Sequence, residues 1–133
     1  TKDNPVFYVQ YAYARINSLL RLINLSLLKK INLDQKSLNL NKMEEKILRK
    51  VFEWPKIVDS ASRQFDLHKI TFYLYDLSTL FHAYWSKGND DKNYKFIENE
   101  KLRRNEILII INLVAIVIQN GMKILGVSLP EKM

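Results

Sequence analysis

The 133-residue sequence has no cysteine, and only three glycines, three prolines and two histidines. Without cysteine there is no disulfide and no thiolate zinc site, which fits a reducing, cytoplasmic setting. Scarce glycine and proline argue against a turn-rich all-β fold. There is no GxxxxGK[ST] phosphate loop and no GxGxxG turn. His68 and His82 fall on one predicted helix with no HxxxH or HExxH pairing around either, so no metal site is expected. His82 follows Phe81 on a core-facing helix and reads as a hydrogen-bonded or half-exposed histidine. Glu44 and Glu45 belong to a helix first turn, where they complement the dipole. No catalytic residue is expected. No signal-peptide pattern is visible, and a chain that starts at Thr1 is expected to be a piece of a longer protein.

What the sequence does have is apolar content, at 47%, and positive charge, with 21 Lys and Arg against 14 Asp and Glu, a net +7. The first is enough for one core, so residues 1–133 are read as a single domain. The second favours an anionic partner such as nucleic acid, or else only keeps the surface solvated. The abundance of Lys, Ile and Asn points to an AT-rich coding genome, a bacterial one.

Apolar periodicity predicts helices. Asn4-Pro5 reads as an N-cap followed by proline at the first helical position. Val9, Tyr13, Ile16, Leu20, Ile23 and Leu27 then step by four and three, a stripe that predicts a helix to about Lys30. Residues 32–42 read as a polar connection. A second helix covers 43–54 with Ile47, Leu48, Val51 and Phe52 as its apolar face. Pro55 breaks it, and 55–65 restart as a short helix. Asp66 caps the next helix, whose stripe is Ile70, Leu74, Leu77, Phe81 and Tyr84, and Gly88-Asn89 ends it. Residues 89–100 read as a solvated loop. The last helix, 101–125, is apolar from Ile107 to Ile118 apart from Asn112, too short a run to span a bilayer and typical of a core helix. Gly126 caps it, and Pro130 prevents its continuation. The expected fold is an all-α bundle of about four or five helices.

Tyr11 and Arg15 are four apart and share a helical face offset from the stripe, with Tyr8 on the same side. A phenol beside a guanidinium is what an unpaired base needs: a surface to stack on and a cation for a phosphate. The alternative is that Tyr8 and Tyr11 pack on a neighbouring helix while Arg15 reaches water. Tyr13, on the stripe, belongs to the core. Tyr84 continues a core stripe too, but in what this reading makes the final turn of its helix, where a stripe can leave the core.

Three blocks resemble a known family. "NPVFYVQYAYARINSLLR" is similar to the start of the DALR-type anticodon-binding domain of arginyl-tRNA synthetases, typically N-x-x-F/V-Y-V-Q-Y-A-H-A-R. "YLYDLSTLFHAYW" resembles its third block, Y-L-Y/F-E/D-L-A-x-x-F-x-x-F/Y. "NGMKILGVSLPEKM" resembles its closing segment, N-G-x-x-L-L-G-x-x-x-P-E-x-M. The blocks come in family order and the resemblance covers essentially the whole chain. It implies an all-α fold, the anticodon stem-loop of tRNA(Arg) as partner, and a catalytic domain upstream in the same chain that joins arginine to tRNA with ATP and magnesium. This domain would carry no cofactor, no metal and no catalysis; "KMEEK" departs from the KMSKS signature at Glu44 and Glu45. The family's anticodon-touching groups match Tyr11, Arg15, Tyr84 and Met133. Arg21, Lys29 and Lys30 are candidates for phosphate contacts.

The sequence also departs from the family. Tyr13 replaces the usual histidine, and "NEILIIINLVAIVIQ" lacks the arginines usual in the last helix, a role Arg103 or Arg104 would have to take. A cytoplasmic monomer is expected, without membrane association. The alternative is a helical protein-interaction module without specific RNA affinity, and a third reading is the related domain of another class I synthetase.

Overall fold

The computed structural model describes residues 4–23 and 38–133. Their architecture is a bundle of α-helices with one small β-hairpin. Helix α1 is Pro5–Leu22. Asn4 caps it as expected, its side-chain oxygen accepting from the amides of Val6 at 3.1 Å and Phe7 at 3.2 Å. Val9, Ala12, Tyr13, Ile16, Leu19 and Leu20 are buried, and Gln119 donates to the Tyr13 hydroxyl at 2.7 Å. Tyr13 is therefore a core residue. The expected run of this helix to Lys30 falls outside the described residues.

Helix α2, Lys42–Phe52, opens on a reciprocal cap: Asn41 accepts from the Glu44 amide at 2.8 Å and Glu44 accepts from the Asn41 amide at 3.0 Å. Ile47 and Val51 are buried, but Phe52 is 73% exposed, against expectation. Helix α3, Trp54–Gln64, begins after one intervening residue with Pro55 in its first turn. The chain turns there, and the ring that packs inward is Trp54, stacked on Tyr73 at 5.3 Å. Phe65, left-handed at φ 51°, closes α3.

Helix α4, His68–Asp90, has Leu67 rather than Asp66 at its N-cap, although the Asp66 side chain still accepts from the His68 amide at 3.0 Å. It does not stop at Gly88-Asn89. Gly88 is helical and buried, and a Cβ there would lie 3.0 Å from the Lys95 Cα and the Tyr94 carbonyl oxygen. That glycine serves close approach rather than helix termination. The following segment is also more than a solvated loop. A 3₁₀ turn, Lys92–Tyr94, leads into strands β1, Ile97–Glu98, and β2, Lys101–Leu102, paired antiparallel with Ile97 opposite Leu102 and Glu98 opposite Lys101. Asn99 and Glu100, both at positive φ, make the two-residue turn that suits strand twist. Phe96 anchors the segment, 3% exposed and edge-on to Tyr84, Trp85 and Phe81.

Helix α5, Asn105–Leu125, is the most apolar and lies against α1, α2, α4 and β2. By length and composition alone it could cross a membrane, which the shorter apolar run seen in the sequence did not indicate. In the fold Ile107, Ile110, Ile111, Val114, Ala115, Val117 and Ile118 are buried among the other helices. Asn112 satisfies its amide within the helix, donating to the Leu108 carbonyl at 2.7 Å. At Gly121 a Cβ would lie 2.6 Å from Leu74, which is how closely α4 and α5 approach. Gly126, at φ 71°, caps α5 as expected, and the Val127 amide donates to the Met122 carbonyl at 2.9 Å. The tail then returns along α1, where Gln10 donates to the Ser128 carbonyl at 2.8 Å and Arg21 to that of Glu131 at 3.4 Å.

Candidate nucleic-acid interface

Three parts of the fold meet at one surface hollow of about 270 Å³: the outer face of α1, the flank of α4 and the C-terminal tail. Helix α1 contributes Tyr11, Arg15 and Leu22, α4 contributes Trp85, and the tail contributes Met133. Among the described residues no acidic side chain lines it. The returning tail is what brings residue 133 to a helix that begins at residue 5.

Arg15 is its centre. The guanidinium carbon lies 4.8 Å from the Tyr11 ring centroid and 5.0 Å from that of Trp85, so the cation sits between two aromatic rings. One terminal nitrogen donates to the Tyr11 hydroxyl at 3.3 Å and the other meets His82 Nδ1 at 3.1 Å. Among the described residues no carboxylate forms an ion pair with Arg15. Its charge is therefore oriented but not neutralised. Tyr11 is 41% and Met133 51% exposed, leaving apolar and π surface open beside it. Such a surface can take an unstacked base and pair with its phosphate.

His82 is only 7% exposed. Burial pushes its imidazole down to about 4; the hydrogen bond to the Tyr8 carbonyl opposes the shift and the Arg15 charge adds to it. Tyr8 does not reach the hollow. Its ring packs 4.4 Å from the His82 ring and 5.2 Å from that of Tyr75, and burial raises its phenol above the ordinary value. The two readings of the tyrosines thus separate: Tyr8 packs between helices, while Tyr11 keeps an open face.

Tyr84 is corrected. It is 1% exposed, donates to the Glu44 carboxylate at 2.9 Å and accepts from the Asn41 side chain at 3.3 Å. Burial, first of all, lifts its phenol well above the ordinary range. Because α4 runs on to Asp90 and Phe96 covers its flank, the stripe never leaves the core at Tyr84. The α4 ring on the hollow is Trp85, one residue on and about 100° around the helix. The sequence did carry a signal for it, since His82 and Trp85 are three apart on the flank of the stripe.

Arg21 is exposed beside the tail and donates to Ser18 Oγ at 3.0 Å. Lys29 and Lys30 lie outside the described residues. Arg103 and Arg104 precede α5 and are held by protein groups. Arg103 pairs with Glu98 at 3.6 Å and donates to the Lys92 carbonyl. Arg104 pairs with buried Glu44 at 2.6 Å, donates to the Asn39 carbonyl and lies 3.8 Å from Glu106. Among the described residues no three His, Asp or Glu side chains gather as a metal site.

Comparison with known proteins agrees with the helical fold. The model of the DALR anticodon binding domain matches residues 9–133. The chain is 42% identical to an arginine–tRNA ligase of Pelagibacter ubique over its whole length, covering 23% of that protein. It is 37% identical to an arginine–tRNA ligase of Allorhizobium ampelinum, again over the whole chain and 24% of the relative. A crystal structure of an arginyl-tRNA synthetase from Campylobacter jejuni superposes on all of this chain and 27% of its own, with a TM-score of 0.79 and 27% identity. The chain thus spans about a quarter of the length of these relatives. By its match over residues 9–133 and its all-α bundle, the chain belongs to the DALR anticodon binding domain family.

Proposed function

We propose that this chain is the tRNA-reading part of an arginine–tRNA ligase and binds the anticodon loop of tRNA(Arg). The observation that carries the reading is Arg15, set against the rings of Tyr11 and Trp85 in a hollow that, among the described residues, has no acidic side chain, with Met133 at its edge. An opened loop lays one base on this aromatic and thioether surface while a phosphate meets the guanidinium. Arg21, with Lys29 and Lys30 as the further cations the sequence offers, holds additional phosphates and makes binding salt-dependent. The chain itself does no chemistry. Ligation of arginine, with ATP and magnesium, belongs to the rest of the parent protein, which acts in the cytoplasm as a monomer. The test is titration with a labelled anticodon stem-loop of tRNA(Arg), beside one with the middle base changed, at two salt concentrations. A preference that survives higher salt supports base reading, and equal, salt-sensitive binding refutes it.

One observation favours the second reading, a protein-interaction module. A larger apolar hollow of about 540 Å³ opens between α3, α4 and α5, lined by Val58, Phe65, Leu67, Ile70 and Ile124 among others. Phe65 is 95% exposed. If RNA is not bound, this face is the functional surface. If RNA is bound, it suits contact with the catalytic domain of the same chain.

A further inference from the structure

Arg15 comes from α1 and His82 from α4, 67 positions along the chain, and they meet at 3.1 Å. Arginine has donors and no acceptor, so His82 Nδ1 must be the accepting, unprotonated nitrogen. On the other side of the ring Nε2 faces the Tyr8 carbonyl at 3.4 Å, and a carbonyl only accepts. Nε2 therefore carries the hydrogen. Both contacts specify the same neutral tautomer. The ring is itself held in place, 4.4 Å from Tyr8, 5.6 Å from Tyr11 and 5.7 Å from Phe81.

We infer that His82 is a positioning residue for RNA binding: a buried neutral acceptor that fixes the plane of the Arg15 guanidinium between Tyr11 and Trp85 without cancelling its charge. A carboxylate at this place would orient the arginine equally well, but it would form an ion pair and reduce the attraction for a phosphate. An apolar side chain would leave a four-torsion side chain to find its position on binding, at an entropic cost. A neutral imidazole does neither. The inference rests on the RNA-binding reading above and assigns a role to a residue that lies beneath the hollow rather than on its wall.

The test is a double-mutant cycle read by stem-loop binding. His82→Phe keeps a ring between Tyr8 and Tyr11 and removes both ring nitrogens. His82→Asn places an amide oxygen near the position of Nδ1 and restores an acceptor. The expected result is that His82→Phe weakens binding about tenfold, the worth of one hydrogen bond to a charged group. His82→Asn should recover most of that loss, and His82→Phe should cost nothing further once Arg15 is alanine. Equal binding by wild type and His82→Phe, while Arg15→Ala weakens it, overturns the inference and leaves the RNA reading intact. So do additive losses. Failure of the wild-type chain to bind the stem-loop removes the RNA reading first, and the inference with it. Nitrogen-15 NMR of the unliganded wild type checks the geometry independently of any variant's folding. A protonated Nε2, a bare Nδ1 and separately resolved terminal nitrogens on Arg15 are expected, and a proton on Nδ1 or freely rotating Arg15 nitrogens contradicts the inference.

Discussion

The Tyr84 hydroxyl donates to the Glu44 carboxylate at 2.9 Å, with both residues excluded from solvent. The same carboxylate takes a hydrogen bond from the Asn41 amide and an ion pair from Arg104. One acid thus ties the start of α2, the flank of α4 and the entry to α5. Glu44→Ala would leave three donors facing a void. It should cost about 3 kcal/mol or more in denaturant unfolding, the scale for breaking a buried pair. Tyr84→Phe should cost about 1 kcal/mol. Binding of the stem-loop per folded molecule should be unchanged in Tyr84→Phe, because the ring is in the core and not in the hollow.

Substitutions at the hollow should do the reverse. Tyr11→Ala and Trp85→Ala each remove one stacking surface and should weaken stem-loop binding by about 1–3 kcal/mol. Tyr11 is partly exposed, so the melting temperature of Tyr11→Ala should move little. Calorimetry beside the binding titration separates the two effects. A Tyr11→Ala chain that melts early yet binds normally would make Tyr11 a packing residue.

His82 predicts a pH dependence of stability. Arg15 and Tyr8 face its nitrogens, and its folded-state pKa lies at about 4, below the ordinary 6.5. Between those values the unfolded chain binds a proton that the folded chain refuses, so acidification favours unfolding. The folded state has its full stability from this group above pH about 6.5 and loses it progressively down to about 4, by at most about 3 kcal/mol. The difference in unfolding free energy between wild type and His82→Phe, measured across that window, should change by this amount and be flat above it.

Gly121→Ala should destabilise by about 1–3 kcal/mol through overpacking. The added carbon would fall 2.6 Å from Leu74 in the α4–α5 contact, and Leu74 is fully buried. Thermal unfolding checks this, and Gly121→Ala should cost less in a Leu74→Ala background than in the wild type.

The features legible in the sequence are those decided locally. The Asn4 cap, the Pro55 restart, the stripes of α1 and α4, the apolar run of α5 and the Gly126 cap each depend on a few neighbouring residues. What was not legible depends on distant contact. Gly88 looks like a helix end until Tyr94 and Lys95 are seen packed against it, and residues 89–100 look solvated until Phe96 finds Phe81, Tyr84 and Trp85. Tyr84 was named from the family resemblance, and its burial under Phe96 is not legible in the local sequence. At the hollow, Tyr11, Arg15 and Met133 were named from family resemblance, and the shared face of the first two from helical spacing. Nothing in the local sequence marks His82 as the partner of Arg15, because that pairing exists only once α1 lies on α4.

A base stacked in the hollow beside Trp85 would alter that tryptophan's emission. The chain has two tryptophans, Trp54 and Trp85. Trp54 stacks on Tyr73, away from the hollow. In a Trp54→Phe chain the emission reports Trp85 alone. Saturable quenching is expected on titration with the anticodon stem-loop of tRNA(Arg), with a midpoint equal to that of a labelled-RNA titration. Saturation of the labelled RNA with no change in Trp85 emission would place the RNA elsewhere on the protein and rule out stacking in the hollow.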